Sequence, residues 1–216
     1  MAEKISKRYK IPIDEVYKDF IYGNDLDTDA LQIFAEQTGC LNTTSIDGLF
    51  IDLSVYDIIV GNPPYVKIQN LEEHQRLEVQ KLDWCSVGNI DLYIAFSERK
   101  AKSNKIYGMI CPNSWIKTAS GSKMRTFLLD NNMQELIDFR GKMNFKESTY
   151  TSIVISSGKK QDSFVFKTSM EDPGEITVFD QVDHGDFFLK KEERSFVQSI
   201  SEKDNLFLDH FDMSVG

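Results

Sequence analysis

The chain has 216 residues and a formal net charge of −9, with 34 acidic side chains against 25 basic ones. Hydrophobic residues make up 41% of the chain and charged residues 27%, which suffices for one folded domain, or for one domain and the start of another. The acidic balance argues against a stand-alone nucleic-acid-binding protein, because contacts to phosphate need a basic surface. It does not exclude a basic cleft on an acidic body.

Cysteine and histidine usage indicates neither a disulfide framework nor a zinc site. Cys40, Cys85 and Cys111 are odd in number and form no CxxC pair. None of the three histidines lies at a zinc-binding spacing from another histidine or from a cysteine. The first residues lack the pattern of a signal peptide, and no run of about 18 apolar residues suggests a membrane span. We therefore expect a cytoplasmic protein in a reducing compartment.

The first part of the chain alternates predicted strands and helices. Residues 1–18 form a polar lead-in that favours a helix interrupted at Pro12. Strands are predicted at 19–23, 43–46 and 56–61 because these are short apolar runs bounded by turn residues. Between the first two strands the pattern predicts a helix that Asp27 or Thr28 caps and Gly39 ends.

The alternation continues toward the carboxyl terminus. Helices are predicted at 71–82, 90–102 and 123–131, and strands at 105–111, 135–139 and 151–156. Beyond residue 157, shorter β-like runs lie among charges and turns. Alternating strands and helices predict an α/β fold with a mostly parallel sheet. We divide the chain into the lead-in 1–18, a catalytic domain at 19–160 and the start of a further β-containing region at 161–216.

The most specific feature is Asn62-Pro63-Pro64-Tyr65, directly after the strand predicted at 56–61. Tandem prolines stiffen this loop and remove two backbone donors. The Asn62 side chain and the Pro63 backbone then offer carbonyl acceptors, which suit a primary amine with two N–H groups. Tyr65 offers a flat face on which a planar base can stack, worth about 1–3 kcal/mol. The alternative is an ordinary turn between a strand and a loop, where Asn and Pro are common.

The stretch DIIVGNPPY, residues 57–65, resembles the catalytic motif of adenine-specific DNA methyltransferases. The resemblance is greatest to the methylase of fused type II restriction–modification enzymes and of related phage-defence systems, and it covers residues 19–157. It implies a Rossmann-like class I methyltransferase fold, doubly wound, with S-adenosylmethionine as cofactor and double-stranded DNA as partner. It further implies methyl transfer to the exocyclic amine of adenine, with Asn62, Pro63, Pro64 and Tyr65 as the catalytic residues.

Two acidic loops are similar to the cofactor motifs of the same family. Residues 20–27 resemble the second motif, in which Asp25, followed by Leu26, would accept hydrogen bonds from the ribose hydroxyls. Residues 45–49 resemble the third motif, in which Asp47, followed by Gly48, would bind the adenine amino group. Together with Asn62 these residues form the expected cofactor site. The alternative is that the acids cap a helix and form an ordinary turn.

Later segments match the family in order. Residues 90–96 resemble the helix beside the cofactor, although a capped helix start explains them as well. Residues 120–128 resemble a helix start in which Arg125 faces phosphate or is a solvated charge. Residues 145–155 resemble an aromatic loop before a strand, and imply that Phe145 stacks on the flipped base opposite Tyr65. Tyr150 is the alternative aromatic residue for that role.

One family motif has no counterpart. The first cofactor motif is a strand followed by a glycine-rich loop, and no glycine precedes Gly23. We therefore expect an incomplete sheet with an exposed apolar edge, completed by a missing N-terminal segment or by a partner chain. On this view the chain alone has little activity. Two alternatives stay open: a non-catalytic module that binds DNA or a partner, and a methyltransferase for protein glutamine or rRNA, which shares the Asn-Pro-Pro-aromatic loop.

Overall fold

The computed structural model of the protein describes residues 1–86, 90–130, 132–143, 150–182 and 187–201. The chain separates into two compact units, Met1–Leu53 and Ser54–Gly216, each of which has its own sheet. In the described ranges, no helix has both the length and the apolar character that crossing a bilayer requires. Nor does this part of the chain bring together three histidine, cysteine or acidic side chains as metal ligands.

The first unit contains three helices and a parallel pair of two-residue strands. The elements are α1 (Ala2–Tyr9), α2 (Ile13–Asp19), β1 (Gly23–Asn24), α3 (Thr28–Thr38) and β2 (Thr43–Thr44). Pro12 stands directly before α2 and Gly39 ends α3 in a left-handed conformation, as the sequence predicts. Asp27 caps α3, because its Oδ1 accepts hydrogen bonds from the amides of Asp29 at 3.0 Å and Ala30 at 3.1 Å.

The strand predicted at 19–23 is wrong for most of its length. Asp19 is the last residue of α2, and the amide of Phe20 donates to the Val16 carbonyl to close the final helical turn. Phe20 and Tyr22 are more than half exposed, so this apolar run is not a buried strand. A short apolar run is compatible with either a helix end or a strand, and here the burial of Val16 favours the helix.

The second unit contains four helices and six strands in the described residues, together with short 3-10 turns. The elements are β3 (Ile58–Gly61), α4 (Glu73–Gln80), α5 (Leu92–Lys102), β4 (Ile106–Pro112), α6 (Ser122–Leu129), β5 (Met133–Met143), β6 (Tyr150–Ser156), β7 (Ser163–Lys167), β8 (Glu175–Val178) and α7 (Lys191–Ser201). The α/β class is therefore confirmed. The sequence locates each of these elements except α7 to within a few residues.

The six strands form one mixed sheet in the order β3-β4-β6-β5-β7-β8. Only β3–β4 and β5–β7 are parallel, whereas β4–β6, β5–β6 and β7–β8 are antiparallel. The expectation of a mostly parallel sheet is therefore wrong for this unit. The connections 144–149 and 168–174 are shorter than the dozen or so residues that a parallel crossover needs, so each joins antiparallel neighbours.

The core lies at the centre of this sheet, and one end of the sheet is exposed. Met109, Leu136 and Val154, from β4, β5 and β6, are almost completely buried. At the end formed by β3, which pairs with β4 alone among the described strands, Ile58 is 45% and Val60 63% exposed. An edge strand of this kind leaves one row of backbone donors and acceptors without a ladder partner. Two of the three large apolar side chains of β3 are therefore exposed at an open edge in the described chain, whereas Ile59 is buried.

Candidate active site

The loop of residues 62–65 leaves the sheet at the carboxyl end of β3. Because β3 and β4 are parallel, with Gly61 paired to Met109, the loop that follows β4 leaves from the same edge. This edge is where open α/β sheets bind their ligands. The prediction that the Asn-Pro-Pro-Tyr segment directly follows a strand is confirmed.

Within this loop, Asn62 and Tyr65 contact each other. The Tyr65 hydroxyl donates a hydrogen bond of 2.7 Å to Asn62 Oδ1. Asn62 is exposed, Tyr65 is half-buried and Pro63 is buried. A carbonyl oxygen has two lone pairs, so Asn62 Oδ1 can accept a second hydrogen bond while it holds the first. The loop therefore presents an oriented amide acceptor to solvent beside an aromatic ring.

The electrostatic setting keeps the Tyr65 hydroxyl protonated. Burial, together with a smaller effect of Cys111 on the neighbouring strand, raises the pKa of Tyr65 to about 12. The hydroxyl is therefore a donor at neutral pH. Burial also raises the pKa of the Cys111 thiol to about 12, so this cysteine lacks the thiolate character of a nucleophile.

A short antiparallel bridge fixes the loop on its far side. Leu92 N donates to Val66 O at 2.7 Å and Ile68 N donates to Ile90 O at 3.0 Å. At the centre of the bridge, Lys67 Nζ donates to Asp91 Oδ2 at 2.8 Å. We call these two segments, 66–68 and 90–92, the loop clamp. The β3 ladder and the loop clamp together hold the 62–65 loop at both ends.

Polar side chains form hydrogen bonds near the carboxyl end of β4, where Tyr93 and Ser152 are buried and Ser114 is exposed. Tyr93 Oη and Ser114 Oγ are 3.0 Å apart, and Trp115 Nε1 donates to Ser152 Oγ at 3.0 Å. Sequence analysis assigned no role to Ser114 or Ser152. Polar residues inside an apolar strand pattern, as in the TSIVIS run of β6, are the signal that could have found Ser152.

A second polar group lies where β5 leads toward Phe145. Asn113 Nδ2 donates to Asp138 Oδ1 at 2.9 Å, and Arg140 N donates to the same oxygen at 3.0 Å. Arg140 has a φ of 53° and forms a two-pronged ion pair with Glu193 of α7. Phe145 itself lies outside the described residues, and its stacking role stays a prediction. Tyr150, the alternative, begins β6 and is about half exposed.

Arg125 is bonded to the protein backbone. Its Nη1 donates to the carbonyls of Trp115 at 2.5 Å and Thr118 at 2.7 Å. The guanidinium thereby fixes the turn that follows β4. The interpretation of Arg125 as a purely solvated charge is therefore wrong, whereas its contact to phosphate stays a prediction.

In the first unit, the two predicted cofactor acids follow two parallel strands. Asp25 comes directly after β1, and Asp47 lies three residues beyond β2. Asp25 Oδ1 accepts from Asp27 N at 3.0 Å, and Asp47 Oδ1 accepts from Leu49 N at 3.0 Å. Each carboxylate thus engages one oxygen in a turn and has a second oxygen with acceptor capacity.

Exposed apolar side chains flank these acids. Leu26 is 65% exposed and Ile46 is 48% exposed, and Gly48 is half-buried. Carboxylate acceptors beside accessible apolar surface suit a nucleoside, whose hydroxyl and amino groups need acceptors while its base needs apolar contact. The residues present in this unit therefore fit the adenosine part of the expected cofactor.

Comparison with known proteins decides the family. The family described as Eco57I restriction-modification methylase matches residues 8–145, which is more than half of the chain. The chain belongs to this family. The resemblance drawn from the 57–65 motif is therefore confirmed at the level of restriction-modification methylases.

Individual relatives agree with this assignment. The chain is 30% identical, over 158 residues, to the type II restriction enzyme and methyltransferase RM.Eco57I of Escherichia coli, covering 68% of this chain and 15% of that enzyme. The chain is much shorter than its type II relatives: its match covers only 15% to 22% of the length of each of three of them.

Solved structures support the fold. The type IIG restriction endonuclease BpuSI superposes with a TM-score of 0.54 at 17% identity, over 85% of this chain and 23% of BpuSI. A Listeria monocytogenes protein assigned as a class I S-adenosylmethionine-dependent methyltransferase gives 0.53 at 18% identity, over 70% of this chain and 50% of that one. At these identities the likeness concerns the fold alone.

Proposed function

We propose that this Eco57I-family chain carries most of the catalytic domain of a DNA methyltransferase that modifies the exocyclic amine of adenine, in a restriction–modification or phage-defence system. The observation that carries the proposal is the Asn62–Tyr65 loop at the carboxyl end of β3, with an exposed amide acceptor bonded to an aromatic side chain. Residues 19–160 would form the catalytic domain, and 161–216 would begin the region that follows.

The proposed chemistry of the loop concerns the target nitrogen. The lone pair of an adenine amine is delocalised into the ring, so the amine is a poor nucleophile. Hydrogen bonds from its two N–H groups to Asn62 Oδ1 and to the Pro63 carbonyl favour a pyramidal nitrogen whose lone pair is free. S-adenosylmethionine, when bound, supplies the methyl group. Positioning accounts for most of the remaining rate enhancement, and the amine loses one proton to solvent after transfer.

The target base lies inside duplex DNA and must leave the stack first. Flipping a base costs a few kcal/mol. Stacking on an aromatic side chain returns about 1–3 kcal/mol. We assign this stacking to Tyr65, with Phe145 on the opposite face of the base. Two observations support the assignment of Tyr65. Its ring is only half-buried, and its hydrogen bond to Asn62 holds the ring beside the amide acceptor.

We assign cofactor binding to Asp25, Leu26, Asp47, Gly48 and Asn62. The two carboxylates would accept from the ribose hydroxyls and from the adenine amino group, and Leu26 would contact the ring. Support comes from the position of both acids after parallel strands and from the exposed apolar surface beside them. No residue before Gly23 is a glycine, so a glycine-rich loop for the methionine part would come from another segment or from a partner chain.

The open edge of β3 supports the same proposal. A further strand could pair there and cover Ile58 and Val60. We propose that the strand of the first cofactor motif occupies this edge in the intact enzyme, and that this chain alone methylates weakly. Calorimetry with S-adenosylmethionine on this chain alone tests it. Tight binding would contradict the need for a further segment, and it would also refute a non-catalytic remnant.

Methylation of duplex DNA by the intact enzyme that contains this chain tests the function. With radiolabelled S-adenosylmethionine, we expect Asn62→Ala and Tyr65→Ala each to lower the rate by at least a hundredfold, since each removes a group that acts on the target base. Circular dichroism should show both variants folded. Wild-type rates in both variants would refute the assignment. Faster methylation of rRNA or of a protein glutamine than of duplex DNA would instead favour those substrates.

A further inference from the structure

The side chain of Asn24 joins the two acidic loops of the first unit. Its Nδ2 donates to Ile46 O at 2.9 Å, while its Oδ1 accepts from Ile46 N at 3.1 Å and from Thr44 Oγ1 at 3.0 Å. One carboxamide thus binds both backbone groups of Ile46. The three contacts also fix the orientation of the amide, because two donors need its oxygen and one carbonyl needs its nitrogen.

This link replaces the next rung of the parallel ladder between β1 and β2. Gly23 N donates to Asn42 O at 2.9 Å and Asp25 N donates to Thr44 O at 3.3 Å. In a regular parallel ladder the following bond would run from Ile46 N to the Asp25 carbonyl. Ile46 N donates to Asn24 Oδ1 instead. The pairing of two very short strands is therefore extended by a side chain, at the point where the loops begin.

Asn24 and Ile46, which these hydrogen bonds join, immediately precede the two acids. Asp25 follows Asn24, and Asp47 follows Ile46. Since each carboxylate is held to its own loop by one short turn bond, the relative position of the carboxylates depends on how the two loops are joined. Ser45 Oγ, 3.5 Å from Leu26 O, is at the limit of a hydrogen bond and adds little.

We infer that Asn24 is the positioning residue that sets the separation of Asp25 and Asp47, and thereby lets the two carboxylates bind the ribose and the base of one nucleoside together. The inference rests on the proposed cofactor site. Asn24 itself touches no ligand in this arrangement. It acts by holding two acceptors at a fixed distance, which lowers the ordering cost of binding a ligand that needs both.

Three variants separate this role from general folding. Asn24→Ala removes all three contacts. Asn24→Asp keeps an oxygen that can accept from Ile46 N, but it removes the donor to Ile46 O and adds a charge next to Asp25. Asn42→Ala is the matched control, because Asn42 Nδ2 donates to the carbonyls of Lys18 at 2.5 Å and Ile21 at 3.3 Å, at the amino end of β2.

Two measurements are made on each variant. Hydrogen exchange of the Ile46 amide is followed in this chain, and S-adenosylmethionine affinity is measured by calorimetry in the intact enzyme. We expect Asn24→Ala to speed exchange at Ile46 and to weaken affinity, each by about tenfold or more, because the link and the fixed separation are both lost. Asn24→Asp should keep most of the protection and still bind weakly. Asn42→Ala should alter neither quantity by more than about twofold, because its bonds lie away from the acids.

Unchanged exchange at Ile46 in Asn24→Ala would overturn the inference, whatever the affinity. Faster exchange with unchanged affinity would also overturn it, since the link would then serve the fold alone. If the wild-type intact enzyme does not bind S-adenosylmethionine, the proposed function is refuted instead. The exchange measurement would still report on the Asn24–Ile46 link. The two failures are therefore distinguishable.

Discussion

The two regions that carry the proposed chemistry, the 62–65 loop and the pair of acidic loops, are built in opposite ways. The 62–65 loop lies between a six-stranded sheet and the loop clamp, and seven residues of the adjacent α5 are buried. The acidic loops follow strands of two residues each, and α3 between them has no buried residue. The acceptor that we propose for the target amine is thus supported by backbone ladders and a core, whereas the acids depend on individual side-chain hydrogen bonds.

The same difference is seen in the exposure of apolar side chains. Phe20, Tyr22, Leu26, Ile33, Leu41, Ile46 and Phe50 are all exposed in the first unit. Isolated exposed apolar residues are ordinary, but this many on a unit of 53 residues leaves little apolar area buried. In the described residues the sheet of the second unit therefore contains its own core, whereas the first unit leaves many apolar side chains exposed.

The largest expected effect is on the core of the second unit. Leu136→Ala should lower the free energy of unfolding by about 2–5 kcal/mol, because Leu136 is fully buried at the centre of the sheet and leaves a cavity. Ile33→Ala on α3, where Ile33 is half exposed, should change it by less than about 0.5 kcal/mol. Urea unfolding of the two variants measures both effects. Equal losses would contradict the contrast between the units.

An intermediate effect is expected from the loop clamp. Asp91→Ala should slow methylation by the intact enzyme about tenfold, or about 1.4 kcal/mol of barrier, because Lys67 loses its partner and the loop clamp keeps only its two backbone hydrogen bonds. Asp91→Asn should recover part of the rate, since an amide oxygen can still accept from Lys67.

Glu78→Ala supplies the control for the clamp. It removes an ion pair to Lys81 that lies on exposed surface, and such pairs contribute about 0–1 kcal/mol. Its methylation rate should match that of the wild type. A rate loss in Glu78→Ala equal to that in Asp91→Ala would show that the effect is not specific to the clamp.

Sequence analysis located most elements and the 62–65 loop, because these depend on local signals. The start of α3 at Asp27 or Thr28, its end at Gly39 and the strand before Asn62 follow from spacing and residue type, and the structure selects Asp27 as the cap. The mixed sheet was missed because strand direction depends on which strands pair, and β6 inserts between β4 and β5. Neither hydrophobic periodicity nor residue type specifies that insertion.

The side-chain contacts that hold the site residues in place likewise could not be predicted from the sequence. Residues 67 and 91 are 24 positions apart, and Lys67 alone does not indicate that it pairs with Asp91. Asn24 was part of a recognised motif, but its bonds to Ile46 depend on the geometry of two loops brought together by β1 and β2. Side-chain links between distant segments are set by the fold, so they become visible only once the strands are paired.

The smallest expected effect separates the two roles of Tyr65. Tyr65→Phe keeps the ring for stacking but removes the hydroxyl that orients Asn62 Oδ1, so we expect methylation to fall only about twofold to fivefold, or by less than about 1 kcal/mol. Because burial raises the pKa of Tyr65 to about 12, the wild-type hydroxyl stays protonated from pH 6 to 10, and the ratio of the two rates should be constant over that range. Initial rates of the intact enzyme at several pH values measure it. A loss as large as that of Tyr65→Ala would place the main contribution in the hydroxyl, and it would make the orientation of Asn62, rather than stacking, the principal task of this tyrosine.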